Sequence, residues 1–322
     1  MNPLPLKQPD VVISTIADDV ATGLLESPKS LPPRLFYDEA GSRLFEQITG
    51  LPEYYVTRTE RSILEAHASE IVRAAGTPLT LIELGAGTAT KTEVLIEALL
   101  KRQLQAVFYP IDVSESALRV AEEALEARFK ALSVRPLVGD YSAGLSQLSR
   151  IAGRKLVLYI GSSIGNYEPE EAGELLANIR RSLSPGDALL LGTDMVKDES
   201  ILNSAYDDEQ GVTARFNMNV LARINRELGA DFALDRFRHH AHYNATAGRI
   251  EMHLISLADH LVRFRPAGAT IRLREGEGIH TECSYKYGLE EFGALGASAG
   301  LVPRKTWTDP QAYFGVFYFT AG

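Results

Sequence analysis

The chain has 322 residues, 45% apolar and 23% charged, which excludes a disordered protein or a single small module and provides for one large or two medium domains. With 33 basic against 42 acidic residues the net charge is −9, a surface that repels polyphosphate and argues against a nucleic acid partner. One cysteine, Cys283, makes neither an intrachain disulfide nor a multi-cysteine zinc site and points to the cytoplasm, while no apolar run of about 18 residues marks a membrane span and MNPLPLKQPD carries no export signal.

In chain order, the first 57 residues are mixed, broken by Pro32-Pro33 and dense in aromatics from Phe36 to Tyr55. LTLIEL (79–84) reads as a strand that stops at Gly85-Ala86-Gly87. A helical pattern follows, with Val94, Leu95, Ala98 and Leu99 on one face. AVFYPID ends a second strand on Asp112, and Ser114 caps a helix through Leu118, Ala121, Leu125, Phe129 and Leu132. RPLVGDY (135–141) reads as a third strand ending near Asp140, KLVLYIG (155–161) as a fourth and DALLLGTDMV (187–196) as a fifth. Their near-continuous apolar character suits parallel strands covered on both faces.

Residues 212–228 then form an amphipathic helix, and 249–257 and 270–285 alternate with period two, Ile250, Met252 and Leu254 opposing His253. A helix over 290–301 and two strands, RKTWTD and YFGVFYFTA, close the chain. The expected fold is α/β: a Rossmann-like, mostly parallel sheet ending in an antiparallel pair, with an inserted α+β unit. The expected division is a nucleotide-type core of 58–196 plus 286–322 and a substrate-binding domain of 1–57 plus 197–285.

Open α/β sheets bind ligands outside the carboxyl ends of their strands. There the glycines of Gly85-Ala86-Gly87 let backbone approach a ligand. Asp112, 25 residues beyond Gly87, can accept both hydroxyls of a ribose, and Asp140 an exocyclic adenine amine. A pyrophosphate wants a third glycine where Thr90 stands. This and the terminal antiparallel pair favour S-adenosylmethionine over NAD.

Longer segments carry a resemblance. KSLPPRLFYDEAGSRLFEQITGLPEYYVTRTE (29–60), IELGAGTATKT (82–92), YIGSSIGNY (159–167), LLLGTDMVKD (189–198), AYDDEQGVTARFNMNVLARINRELGADF (205–232), IEMH (250–253) and TECSYKY (281–287) resemble the histidine-specific methyltransferases of ergothioneine biosynthesis. The resemblance implies a class I S-adenosylmethionine enzyme with an inserted substrate domain that methylates the α-amine of L-histidine three times, giving hercynine. It implies that Gly85, Lys91, Asp112, Asp140 and Tyr141 hold the cofactor, Gly87 lying in the same turn. It further implies that Tyr54, Gly161, Asn166, Tyr206, Glu282 and Ser284 hold histidine, with Tyr37 near the reacting amine. Tyr167 departs from the pattern, which has a smaller aliphatic residue there. Cys283 departs too, pointing away from Glu282 and Ser284 by strand alternation.

Methyl transfer to an amine is an in-line displacement, so positioning dominates and no nucleophilic side chain is required. Asn166 through its amide oxygen, and Gly161 through its carbonyl, can orient the nitrogen. Tyr37 can accept a hydrogen bond and then face the alkylammonium product. Glu282 can take an imidazole N–H, Ser284 lies on the same side, and Met252 can pack on the ring; together they favour histidine over tryptophan. Two alternatives stand: a tryptophan or other aromatic amino acid N-methyltransferase, and a silent S-adenosylmethionine-binding module. His239, His240 and His242 read as a polar strand edge and Asp207-Asp208-Glu209 as a helix N-terminus, so no metal is assigned. A monomer acting on a small molecule, without nucleic acid or membrane, is expected.

Overall fold

The computed structural model describes residues 16–148, 150–264 and 268–321; the opening MNPLPLKQPD lies outside the described residues. The chain begins with α1 (Ile16–Leu25), β1 (Lys29–Ser30), a 3-10 turn at Pro33–Phe36 and α2 (Glu39–Thr49). Asp38 starts α2 by accepting the Gly41 N–H at 2.7 Å. In α3 (Tyr55–Ala75), Val56, Ile63, Leu64, Ile71 and Val72 form the buried stripe, and Glu60 falls on it.

The core then alternates: β2 (Thr80–Leu84), α4 (Glu93–Leu100), β3 (Ala106–Asp112), α5 (Glu115–Arg128), β4 (Leu132–Val134), β5 (Leu137–Val138), α6 (Tyr141–Leu148), β6 (Lys155–Tyr159), a 3-10 turn at Ser163–Asn166, α7 (Pro169–Ser182) and β7 (Ala188–Asp194). Two helices, α8 (Glu199–Tyr206) and α9 (Val212–Leu228), lead into β8 (Phe237–Asn244), β9 (Arg249–Ser256), β10 (His260–Phe264), β11 (Ala269–Leu273) and β12 (Gly278–Tyr285). The chain ends with α10 (Leu289–Ser298), β13 (Val302–Thr308) and β14 (Phe314–Thr320).

The large sheet has the order β13-β14-β7-β6-β2-β3-β4, with β5 also on β3. It is parallel except at β14, which runs against both β7 and β13. That is the expected Rossmann-like sheet with its antiparallel end. Every residue of β6 and β7 is buried, which is why those runs carry no polar alternation. The strand order reverses beside β2, whose neighbours are β3 and β6, so the turns after β2, β3 and β6 converge.

Three readings need correction. α5 stops at Arg128: Phe129 is already extended, and Leu132 opens β4 rather than continuing the helix. Of the strand expected at 135–141 only Leu137–Val138 (β5) is strand: β4 ends before it at Val134, Pro136 between them has no N–H to give a ladder, and Tyr141 already opens α6. The stretch 270–285 divides, around Gly276 (φ +79), into β11 and β12.

The second sheet has the order β1-β12-β9-β8, and β10-β11 is a separate hairpin. Met252 on β9 is the direct cross-strand partner of Glu282 on β12, just past a bulge between His280 and Glu282. A seam joins the two sheets: Tyr287 donates its N–H to the Asp194 carbonyl and Val196 donates to the Tyr287 carbonyl, both at 3.2 Å. Among the described residues no helix is long and apolar enough to cross a membrane.

Glu83, buried in central strand β2, accepts a hydrogen bond from Thr92 Oγ1 at 2.6 Å, and burial pushes its carboxyl up to about 8. The folded state therefore holds a proton that the unfolded chain, with an ordinary Glu near 4.3, releases. This contribution is complete at low pH and is lost as pH rises from about 5 through 8. Glu83→Gln has no such titration. Calorimetric scans should show the parent falling behind the variant over that window, by about 2–4 °C for each 1 kcal/mol; parallel curves would mean that Glu83 is ionised in the fold.

Candidate functional site

The glycine turn opens with Gly85 at φ +73, where a Cβ would lie 3.1 Å from Tyr141 Oη. At Gly87, φ +52, a Cβ would meet nothing within 4 Å, so the loop faces open space. Asp112 at the end of β3 accepts the Gly87 N–H at 2.8 Å on one carboxylate oxygen and the Ser114 N–H at 2.9 Å on the other. Each oxygen keeps a lone pair, the arrangement that a vicinal diol can meet. This donor set fits the ribose of S-adenosylmethionine.

Asp140 is exposed and accepts the Ala143 N–H at 2.9 Å on one carboxylate oxygen, starting α6. Tyr141 sets its ring edge on Tyr159 at 5.2 Å. Tyr167, the departure noted in the sequence, packs against the same core cluster as Tyr159, whose buried hydroxyl has no hydrogen-bond partner among the described residues.

Lys91 pairs with Glu60, and both Glu60 oxygens accept the Gly161 N–H, at 3.0 and 2.9 Å. Glu60 is fully buried, and a Cβ on Gly192 would fall 1.9 Å from its Oε1. One carboxylate therefore ties α3, the loop after β2 and the loop after β6 together. With its N–H engaged, Gly161 has only its carbonyl to offer a ligand. Sequence reading missed Glu60; its place on the apolar stripe of α3 is the signal that could have found it.

On the other side, Tyr37, Tyr54, Tyr206, Met252 and Glu282 line one small cavity of about 30 Å³, walled by Phe45 and Phe216. Tyr37 packs edge-on to Phe45 at 5.8 Å and Phe216 at 5.9 Å, and Tyr54 edge-on to Tyr206 at 6.2 Å. Glu282 also borders an adjoining groove of about 380 Å³, shared with Asn166 and Cys283. Asn166 arrives there because its turn packs on β12: a Cβ on Gly165 would sit 2.8 Å from the Tyr285 carbonyl oxygen. Cys283 points to that turn, its thiol donating to the Asn166 carbonyl at 3.4 Å, away from the cavity as alternation requires.

Burial raises the phenols of Tyr37, Tyr54 and Tyr206 well above their ordinary value, and the charge of Glu282 adds to this. Burial pushes Glu282 itself up to about 7, while the Lys286 ammonium pulls it down. Ser284 Oγ accepts from Tyr206 Oη at 2.9 Å and from Lys286 Nζ at 2.8 Å. Lys286 pairs with Asp194 at 2.8 Å, and Asp194 with Lys197 at 2.5 Å and Tyr55 Oη at 2.8 Å. The sequence reading included none of these four; a lysine between Tyr285 and Tyr287 was the available sign.

Of the histidine group, His240 and His242 lie on edge strand β8 as expected. His239 is different: it faces inward, its Nε2 bonded to the Tyr206 carbonyl and its Nδ1 to Asn217 Nδ2, both at 2.9 Å. It props up the end of α8 that carries Tyr206. Among the described residues no group of three or more His, Cys, Asp or Glu side chains could hold a metal ion.

The sequence model of the family described as histidine-specific methyltransferase, SAM-dependent, matches residues 16–321. The histidine N-alpha-methyltransferase of Mycolicibacterium smegmatis is 45% identical over 307 residues, 95% of each chain. That of Mycobacterium tuberculosis is 44% identical over 298 residues, 92% of each chain. Ergothioneine biosynthesis protein 1 of Neurospora crassa is 32% identical over 89% of this chain and 33% of its own length. Every strand described above lies within the matched span, and the chain belongs to the histidine-specific, S-adenosylmethionine-dependent methyltransferases.

Proposed function

We propose that this chain trimethylates the α-amine of L-histidine to hercynine, the first step of ergothioneine biosynthesis, with Tyr37, Asn166 and Gly161 at the reacting nitrogen. The observation that carries the substrate choice is the pairing of Glu282 with Met252 across two strands, both facing one tyrosine-lined cavity. The carboxylate takes a ring N–H and the thioether covers the flat ring. Gly85, Gly87, Lys91, Asp112, Asp140 and Tyr141 form the cofactor side. Residues 58–196 plus 286–322 act as the core, and 1–57 plus 197–285 as the substrate-binding domain. Sparing use of cysteine supports a cytoplasmic protein and the acidic surface one without a nucleic acid partner; it is proposed to act as a monomer.

Bound S-adenosylmethionine supplies an electrophilic methyl on sulfur. The chain supplies position, which accounts for up to about 7–11 kcal/mol of barrier when two reactants are aligned. The α-ammonium must first lose a proton, which enclosure favours because it penalises the charged form, and water takes that proton. The Asn166 amide oxygen and the Gly161 carbonyl orient the remaining N–H groups. Tyr37 stays a neutral phenol, since burial raises it. It therefore acts through an oxygen lone pair and through its ring, worth about 0.5–2 kcal/mol to a cation that has no N–H left. A cavity of about 30 Å³ holds roughly two waters, so ring entry turns Tyr37, Phe45 or Met252 aside.

Mass spectrometry of the product from histidine and cofactor should show three methyl groups on the α-amine; a single methyl, or faster turnover of tryptophan, would contradict the assignment. Glu282→Ala should weaken histidine binding at least tenfold with S-adenosylhomocysteine binding unchanged, and Asp112→Ala the reverse. Calorimetry showing equal loss of both affinities in either variant would overturn the division of roles.

Glu282 accepts a ring N–H more strongly as the carboxylate than as the acid, and its carboxyl is raised to about 7. The ratio of kcat/KM for the parent to that for Glu282→Gln should therefore decline as pH drops below 7 and level off above it. Taking the ratio cancels titration of the substrate amine; a ratio independent of pH would remove Glu282 from ring recognition.

A further inference from the structure

Lys286 follows β12 directly, two residues beyond Ser284. Its side chain is fully buried, as is that of Asp194. Its Nζ contacts Asp194 Oδ2 at 2.8 Å, Ser284 Oγ at 2.8 Å and Tyr206 Oη at 3.1 Å. An ammonium has three N–H donors and no acceptor, so all three are engaged. Tyr206 Oη in turn donates to Ser284 Oγ at 2.9 Å. The serine oxygen thus accepts two hydrogen bonds, which fills both lone pairs, and its own O–H is the one thing it has left to give.

We propose that Lys286 is a positioning residue that fixes the Ser284 hydroxyl as a donor toward the substrate ring, so that the site holds neutral imidazole in one tautomer. This rests on the reading of Glu282 and Ser284 as the ring contacts. Glu282 accepts from the ring nitrogen that carries hydrogen; Ser284 donates to the nitrogen that does not. Neutral imidazole has one of each. Indole has a single N–H and no bare ring nitrogen, so it leaves the Ser284 donor unmatched, and an unmatched buried polar group is a strong basis for rejection.

The network that holds Lys286 is itself fixed from several sides. Asp194 ends β7, receives Tyr55 Oη at 2.8 and 2.9 Å on its two oxygens and pairs with Lys197 at 2.5 Å. Its backbone N–H donates to Ser162 Oγ at 2.9 Å. The two carboxylates Asp194 and Glu282 balance the two ammonium groups Lys197 and Lys286. The Lys286 ammonium also sits 4.8 Å from the centre of the Tyr206 ring. Tyr206 is therefore fixed at its ring, at its hydroxyl and, through His239, at its carbonyl.

The test is nitrogen NMR of ring-15N-labelled L-histidine bound to the full chain with S-adenosylhomocysteine, joined to a double-mutant cycle on KM. The expected spectrum of the parent complex has two well-separated resonances, one protonated nitrogen and one bare; Lys286→Met should draw them together by tautomer exchange. Ser284→Ala should raise the KM for histidine at least tenfold in the parent and less than threefold in Lys286→Met. Lys286→Arg keeps the charge with a planar fork that cannot reproduce the three bonds. It should lower the Ser284→Ala cost in the same way, and serves if the methionine variant does not fold. Histidine bound with averaged ring signals in the parent, or an undiminished Ser284→Ala cost in the Lys286 variants, overturns the role of Lys286 alone. A parent chain that binds no histidine overturns this proposal and the histidine reading together.

Discussion

The ion pair between Asp194 and Lys286 holds the architecture in register. Asp194 is the last residue of a central strand of the large sheet and Lys286 follows the central strand of the small one. Both are buried, so neither charge can be left alone: breaking such a pair by removing one partner costs about 3–5 kcal/mol. The seam of backbone bonds around Met195 and Tyr287 runs beside it. Together they fix β12 against the carboxyl ends of the large sheet, where an open α/β fold places its ligands. Every ring contact proposed for the substrate lies on β12 or faces it.

A second buried carboxylate does the corresponding work on the cofactor side. Glu60 reaches out of α3 to hold Lys91 and the Gly161 N–H, so the loops after β2 and β6 have a common anchor. The two anchors differ in what they leave exposed. Glu60 takes the Gly161 N–H and so leaves that residue its carbonyl to offer, and Lys286, as proposed, leaves the Ser284 proton. In both cases a buried charge acts by engaging one end of a polar group and so deciding what its other end presents. As an N-methyltransferase of the histidine-specific family, the chain needs this kind of preorganisation more than it needs a nucleophile, because the chemistry is a displacement between two bound molecules.

Much of the fold was legible because apolar periodicity reports burial directly. The fully buried β6 and β7 read as unbroken apolar runs, and α9 was placed at 212–228 from its stripe of Phe216, Val220, Leu221 and Ile224. Periodicity misled where the chain changed element without changing phase: Phe129 and Leu132 continue the spacing of α5 yet lie beyond its end. β10 is short and partly polar and β1 is two polar residues, so neither carried a pattern. For the site, single-residue chemistry was legible and pairings were not. Met252, Glu282 and the three tyrosines were singled out and share a cavity. Glu60, Asp194 and Lys286 went unread because a charge within an apolar pattern reads as a solvated residue until its partner, tens of residues away, is known.

The central claim is that one histidine spans the seam, its ring on the small sheet and its α-nitrogen at the strand ends of the large one. A crystal structure of the complex with L-histidine and S-adenosylhomocysteine tests this most directly. The ring should lie between Glu282 and Ser284 with Met252 on its face, and the α-nitrogen beside Asn166 and the Gly161 carbonyl, aimed at the sulfur. Density that puts the ring toward Asp112, or the amine in the groove away from the sulfur, would contradict the account.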